Sequence, residues 1–117
     1  MYNKRKIGLK YENEVRMFLE KEGYKILCTN FFSKFGEIDI IAKEDSIYVF
    51  IEVKYRSSIL CGYGEEAVDY RKQKRMYYGA MYYLHKYGIA QETPCRFDVI
   101  AVNDGKISHI KNAFGGI

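Results

Sequence analysis

The sequence predicts a mixed α/β domain, a small mixed sheet flanked by helices. Three observations carry that prediction. Segments 9–22 and 65–87 repeat apolar residues at the three- and four-residue steps of a helix. Segments rich in β-branched and aromatic residues lie between and after them, bounded by Gly, Asp and Ser turn signals. The resulting order is α-β-β-β-α-β-β, which suits helices layered on one sheet rather than an all-α or all-β packing.

In the first helix Tyr11, Val15, Phe18 and Glu22 recur along one stripe with Leu19 beside them, and Gly23 follows as a stop. Glu12 falls about 60–75° from the centre of that stripe, at the edge of the face that packs on the sheet. The first strand is expected over 24–30, where Tyr24, Ile26 and Cys28 alternate with Lys25 and Leu27. The second covers 36–42 and the third 47–56. The polar turn Lys43-Glu44-Asp45-Ser46 joins these two as an antiparallel hairpin. Residues 57–64 read as a loop punctuated by Gly62 and Gly64. Glu65 and Glu66 are expected to open the second helix, where acids suit the positive end of the dipole. Its stripe includes Val68, Met76, Gly79, Ala80 and Tyr83, and it ends near Lys86 or Tyr87. The fourth strand is expected over 95–102, after the single proline, Pro94; the Asp104-Gly105 turn leads to a short strand over 107–110.

The chain has 117 residues, room for a single domain over 1–117. Hydrophobic residues at 48% and charged residues at 29% exclude a disordered tail. Nineteen Lys and Arg against 15 Asp and Glu leave a charge of +4, which admits a polyanionic partner without requiring one. Cys28, Cys61 and Cys95 are odd in number and far apart, so neither a zinc site nor a disulfide framework is expected, and a reducing cytoplasm fits. No run approaches a membrane span, and the basic start Lys4-Arg5-Lys6 leads into no apolar signal core.

The chemistry concentrates on the hairpin. In Gly36-Glu37-Ile38-Asp39-Ile40-Ile41-Ala42, period two places Glu37 and Asp39 on one face and Ile38, Ile40 and Ala42 on the other. In the third strand Glu52 and Lys54 share a face opposite Val49, Ile51 and Val53. Two registers fit the turn. One sets Asp39 opposite Glu52 and Glu37 opposite Lys54; the other sets Glu37 opposite Glu52 with Asp39 diagonal to it. Both bring two carboxylates to about 5–8 Å at Cβ with Lys54 adjacent. Carboxylates that close repel in a low dielectric unless a cation sits between them. An oxygen-only site suits Mg²⁺ or Mn²⁺, completed by water and a substrate phosphate. Lys54 beside it is suited to orient or help deprotonate water, or to stabilise charge on phosphorus. Taken alone, Glu37 and Lys54 read more readily as a cross-strand ion pair on a solvated face.

At these residues the chain resembles the PD-(D/E)XK, restriction-endonuclease-like superfamily. More closely it is similar to the uncharacterised bacterial YraN family, distantly similar to archaeal Holliday junction resolvases. The resemblance rests on Gly8-x-x-Tyr11-Glu12, Gly23-Tyr24, Asn30, the 36–42 segment, Phe50-Ile51-Glu52-Val53-Lys54-Tyr55-Arg56, Lys72 and Arg96-Phe97-Asp98-Val99-Ile100. It implies a restriction-endonuclease-like αβββαβ core. It implies Asp39 and Glu52 as metal ligands, with the backbone carbonyl of Val53 beside them, and Lys54 as the catalytic lysine. Glu12 matches the helical acid that completes resolvase-like sites, against its plainer reading as an exposed helix glutamate. Glu37 is accessory, or pairs with Lys54 or Arg56. The implied activity is Mg²⁺-dependent hydrolysis of phosphodiester bonds in DNA, branched or single-stranded. The alternative is a non-catalytic nucleic-acid-binding or adaptor protein that keeps the fold. Resolvase-like nucleases usually pair two sites for two cuts, which implies a homodimer.

On the second helix Lys72 interrupts the apolar stripe, either snorkelling or pointing its ammonium at a phosphate. Gln73-Lys74-Arg75-Met76-Tyr77 has the Q-x-x-x-Y form of some nucleases in the superfamily. Arg56, Arg71, Lys74 and Arg75 are candidate nucleic-acid contacts, each also readable as part of a solvated face. Tyr55, Tyr63, Tyr77 and Tyr78 are suited to stack on bases where exposed. No helix-turn-helix or zinc finger reads base sequence. Asp98, between Phe97 and Val99, is placed by alternation toward the sheet's other layer.

Overall fold

The computed structural model describes residues 4–56 and 68–115, with side chains described over 12–55 and 68–115. Helix α1 (Lys4–Lys21) precedes strands β1 (Lys25–Ser33), β2 (Gly36–Glu44) and β3 (Ile47–Arg56). Helix α2 (Tyr70–Lys86) then leads to β4 (Cys95–Asn103) and β5 (Lys106–Phe114). The strands lie in sequence order, β1 to β5, in one five-stranded sheet. Among the described residues only β3 and β4 pair in parallel. A parallel pair needs a crossover between the ends of its strands, and α2 supplies it.

Each face of the sheet is covered by one helix. Val15 and Leu19 of α1 pack on Ile40, Ala42, Val49, Ile51, Val53, Ile100 and Val102. On the other face Met76, Ala80, Tyr83 and Leu84 of α2 pack on Ile41, Phe50, Phe97 and Val99. Central strands buried on both faces explain the nearly continuous apolar runs of β2, β3 and β4. Gly79 lets α2 approach β2 closely: a Cβ there would meet Ile38 Cδ1 at 3.1 Å.

The element order and the β2–β3 hairpin are as the sequence predicts. Several boundaries differ. Asp69, not Glu65, begins α2: it caps the helix by accepting the Lys72 N–H at 2.8 Å, and Val68 is buried just before the cap. Glu65, Glu66, Cys61, Tyr63 and the expected 57–64 loop lie outside the described residues. β1 runs on to Ser33, past Asn30, whose backbone is left-handed at φ 54°. β5 continues to Phe114 past Asn112, also left-handed at φ 52°, and Phe114 stacks on Phe97 at 5.1 Å. Asparagine tolerates that conformation, so a strand can kink there and continue.

Among the described residues no helix is long and apolar enough to cross a membrane. Cys28 and Cys95 are half-buried free thiols.

Candidate functional site

The hairpin adopts the register that aligns Ile40 with Ile51, Ile41 with Phe50 and Ala42 with Val49. Continued in phase, it sets Asp39 at the level of Glu52. The ladder stops at Ile40 and Ile51, however, and the Asp39 carboxylate takes over: Oδ2 accepts the Val53 N–H at 2.8 Å. Asp39 thus fills the notch where β2 parts from β3.

The parting corrects one sequence expectation. Ile38 was expected on the face of Ile40 and Ala42, but it packs with the α2 cluster while they pack with α1. The alternation breaks at Asp39. Across from it, β1 is paired at Thr29–Ile40 and Phe31–Ile38 but not between them, at left-handed Asn30. A positive φ rotates the following peptide plane, so both strands change phase together. β3 stays regular, and Val49, Ile51 and Val53 face α1 as expected.

Glu52 is buried at 5% exposure. Lys72 Nζ lies 3.0 Å from its Oε2 and Lys54 Nζ 4.0 Å. Oε2 nevertheless has no aligned hydrogen bond, so the Lys72 contact is a charge pair rather than a directed bond. Burial, then a hydrogen bond and charge repulsion from Glu52, push the Asp39 carboxyl up to about 8, against the pull of the Val53 N–H. Glu37 adds further repulsion. The two carboxylates share a space that one negative charge occupies more readily than two.

Glu12 sits on the α1 side, its Oε1 accepting a hydrogen bond from Asn30 Nδ2 at 3.1 Å. Tyr55 links the two sides electrostatically: its hydroxyl is pushed up to about 12 by burial and by the charges of Asp39 and Glu12. Among the described residues no three His, Cys, Asp or Glu side chains form a group suited to a metal. The donor set is therefore a pair, Asp39 and Glu52. The buried Oε2 without an aligned partner fits a hard cation that draws its remaining ligands from water and substrate oxygens. Such a cation would neutralise the repulsion and polarise a bound phosphoryl oxygen.

Other sequence candidates separate from the notch. Gln73 donates to the Val68 carbonyl at 3.1 Å and holds the start of α2. Glu37 forms no ion pair with Lys54; its other expected partner, Arg56, has a side chain outside the described residues. Arg71 and Arg75 are exposed, and the Lys74 ammonium lies 5.6 Å over the Tyr70 ring. Arg56 ends β3; its side chain lies outside the described residues. Sequence reasoning missed Asn30 as a site residue. Its signal was a polar residue, tolerant of φ > 0, inside a strand pattern.

Asp98 belongs to a different centre, on the α1 side of β4. It is fully buried and accepts from Arg96 Nε (2.9 Å) and the Asn112 N–H (2.9 Å), with His109 Nε2 at 2.6 Å. Arg96 also reaches Tyr24 Oη at 2.7 Å and Glu44 at 3.1 Å. Burial works to raise the Asp98 carboxyl, but the bonds from His109, Arg96 and Asn112 outweigh it and hold it below the usual carboxylate range. With Asn112 N–H as its partner, Asp98 fixes the β5 kink, which is a structural role.

The profile of uncharacterised protein family UPF0102 matches residues 11–102. A UPF0102 protein of Lachnoclostridium phytofermentans is 45% identical over 112 residues, covering 96% of this chain and 95% of the relative. One of Thermodesulfovibrio yellowstonii is 52% identical over 97 residues, covering 83% and 85%. One of Natranaerobius thermophilus is 45% identical over 120 residues, covering 97% and 100%. With a match across most of its length, this chain belongs to the uncharacterised, YraN-like family UPF0102.

Proposed function

We propose that this protein is a cytoplasmic, divalent-cation-dependent nuclease of PD-(D/E)XK type, distantly similar to archaeal resolvases, that hydrolyses phosphodiester bonds in DNA. The observation that carries the reading is the Asp39–Glu52 pair, two crowded carboxylates in a notch of a buried hairpin. Such a pair is costly unless a proton, a lysine or a metal ion offsets it. In this reading Asp39, Glu52 and the Val53 carbonyl would hold Mg²⁺ or Mn²⁺, which would supply positive charge for the phosphoryl group and acidify water. Lys54 positions that water. Lys72 neutralises Glu52 at 3.0 Å and, with a cation bound there, would be free to face the phosphate. Glu12, held by Asn30, completes the approach from the α1 side.

The test is cleavage of branched and single-stranded DNA with Mg²⁺ or Mn²⁺ against EDTA. Cleavage by the wild type, lost in Glu52→Ala and in Lys54→Ala, supports the reading; wild-type cleavage no greater than that of both variants sinks it. One observation favours a second reading, a non-catalytic adaptor that keeps the fold. Lys72 already offsets the Glu52 charge at 3.0 Å, so the notch is tolerable without metal. On that reading, salt-sensitive DNA binding survives Glu52→Ala unchanged and no cleavage is found.

A further inference from the structure

Helix α2 has 17 residues and not one Asp or Glu. It carries five Lys or Arg and five Tyr, a composition that core packing against the sheet does not require. Its inward face is spent on Met76, Gly79, Ala80, Tyr83 and Leu84. Arg71, Arg75, Tyr78, Tyr82 and Lys86 recur at four-, three-, four- and four-residue steps, so they form one outward stripe on the β1–β2 side. All five are exposed.

Neighbouring elements fix the stripe in place. Arg75 Cδ lies 4.0 Å from where a Gly36 Cβ would be, at the start of β2. The Tyr78 ring leans on Phe35 at 5.6 Å, and the Tyr82 ring on Phe31 at 6.1 Å. Lys34 sits 5.3 Å over Phe35, and Lys86 5.9 Å over Phe31. Tyr78 and Tyr82 keep 45% and 39% of their surface open while their rings are braced from behind. Lys72, next to Arg71, is the residue that touches Glu52.

We propose that this α2 stripe binds an unpaired polynucleotide strand, stacking bases on Tyr78 and Tyr82, and leads it to the Asp39–Glu52 notch. The last clause rests on the nuclease reading; the binding itself does not. Basic residues at both ends hold backbone phosphates, and braced aromatic rings between them offer flat, sequence-tolerant platforms. The stripe rises about 22 Å along the helix, room for roughly six stacked nucleotides at ~3.4 Å each. A duplex keeps its bases stacked on one another and offers the tyrosines nothing. A second copy of this chain is disfavoured, because an acid-free stripe facing its own image repels itself.

The test is fluorescence anisotropy with labelled oligothymidylate and oligouridylate of about twelve residues, and a DNA duplex of equal length, in EDTA. Tyr78→Leu with Tyr82→Leu keeps apolar cover over Phe35 and Phe31 but removes the platforms. Single-strand affinity should fall about tenfold or more, with duplex binding little changed. Arg71→Gln with Arg75→Gln should weaken binding and flatten its salt dependence. If the leucine variant does not fold, Tyr82→Trp gives an independent readout, since the chain has no tryptophan: its emission should be quenched by oligothymidylate and not by duplex. Unchanged single-strand affinity in the leucine variant, or no quenching, overturns the proposal. So does sedimentation showing a dimer that the leucine variant dissociates. Glu52→Gln separates the two readings. Stripe-dependent binding with no cleavage by any variant ends the nuclease reading alone. Cleavage lost in Glu52→Gln, but unaltered by the leucine and glutamine stripe variants, ends this one alone.

Discussion

Asp39 Oδ2 accepts the Val53 N–H at 2.8 Å at the point where the backbone ladder between β2 and β3 stops. A side chain thus does the work of a strand, and the place where it does so is beside a second buried carboxylate, Glu52. The arrangement opens a notch without leaving the Val53 N–H unsatisfied.

The first consequence is a pH slope. The Asp39 carboxyl lies near 8 in the fold, above its ordinary value of 3.8. The native state therefore holds an extra proton between those limits, and this group's stabilisation is lost as pH rises toward 8. Asp39→Asn keeps an acceptor for Val53 and abolishes the titration. Relative to wild type, the variant should gain stability steadily from pH 5 to pH 8 in EDTA, about 3–4 kcal/mol in all and roughly 15–20 °C in melting temperature. Parallel melting curves over that range would contradict the proton assignment.

Metal should invert that slope. A divalent cation between Asp39 and Glu52 competes with the shared proton, so Mn²⁺ should raise the melting temperature more at pH 8 than at pH 6. The gain should vanish in Glu52→Gln. Differential scanning calorimetry at fixed ionic strength measures both; an equal Mn²⁺ effect in Glu52→Gln would place the ion elsewhere.

Lys72→Met removes the ammonium nearest Glu52 while keeping the apolar stem. Because Lys72 is 28% exposed, its loss should cost about 1–3 kcal/mol in EDTA, less than breaking a fully buried pair. Mn²⁺ should restore most of it. Lys54→Met, with its ammonium at 4.0 Å, should cost less in stability than Lys72→Met. Urea titrations of both variants with and without Mn²⁺ decide the order.

Asn30 separates backbone from side-chain roles. Asn30→Ala opposes the left-handed backbone and should cost about 1–2 kcal/mol. Asn30→Gly tolerates φ 54° and removes only the amide that holds Glu12 at 3.1 Å. Asn30→Gly should therefore be the more stable of the two in urea, and any cleavage activity should fall in both, as in Glu12→Ala. Full activity in Asn30→Gly would show that the Glu12 anchor is dispensable.

Asp98→Asn should be among the most damaging substitutions in the chain. It leaves Arg96 and His109 facing a neutral amide in a fully buried place, at a cost of about 3–5 kcal/mol. The folded carboxyl is depressed, so its contribution is present above the ordinary carboxylate value and is lost as pH falls through the lowered one. The stability gap between wild type and variant should therefore narrow as pH falls through the lowered carboxylate value; a gap independent of pH would deny Asp98 that role.

The sequence by itself determined the element order, the β2–β3 hairpin and the meeting of Asp39 with Glu52, because local periodicity and turn chemistry carry that information. It placed β3 correctly, since no residue there breaks the period of two. It could not place Ile38, because one left-handed residue on the neighbouring strand, Asn30, resets the alternation of β2. It could not choose between the two hairpin registers, which the same turn allows. Nor could it show that Lys72, from a helix beyond the crossover, comes closer to Glu52 than Lys54, two residues away in sequence. Asp98 was unreadable for the same reason: its partners come from β4 and from the distant β5 kink. Local pattern fixes which way a side chain starts out; only closure of the chain decides what it meets.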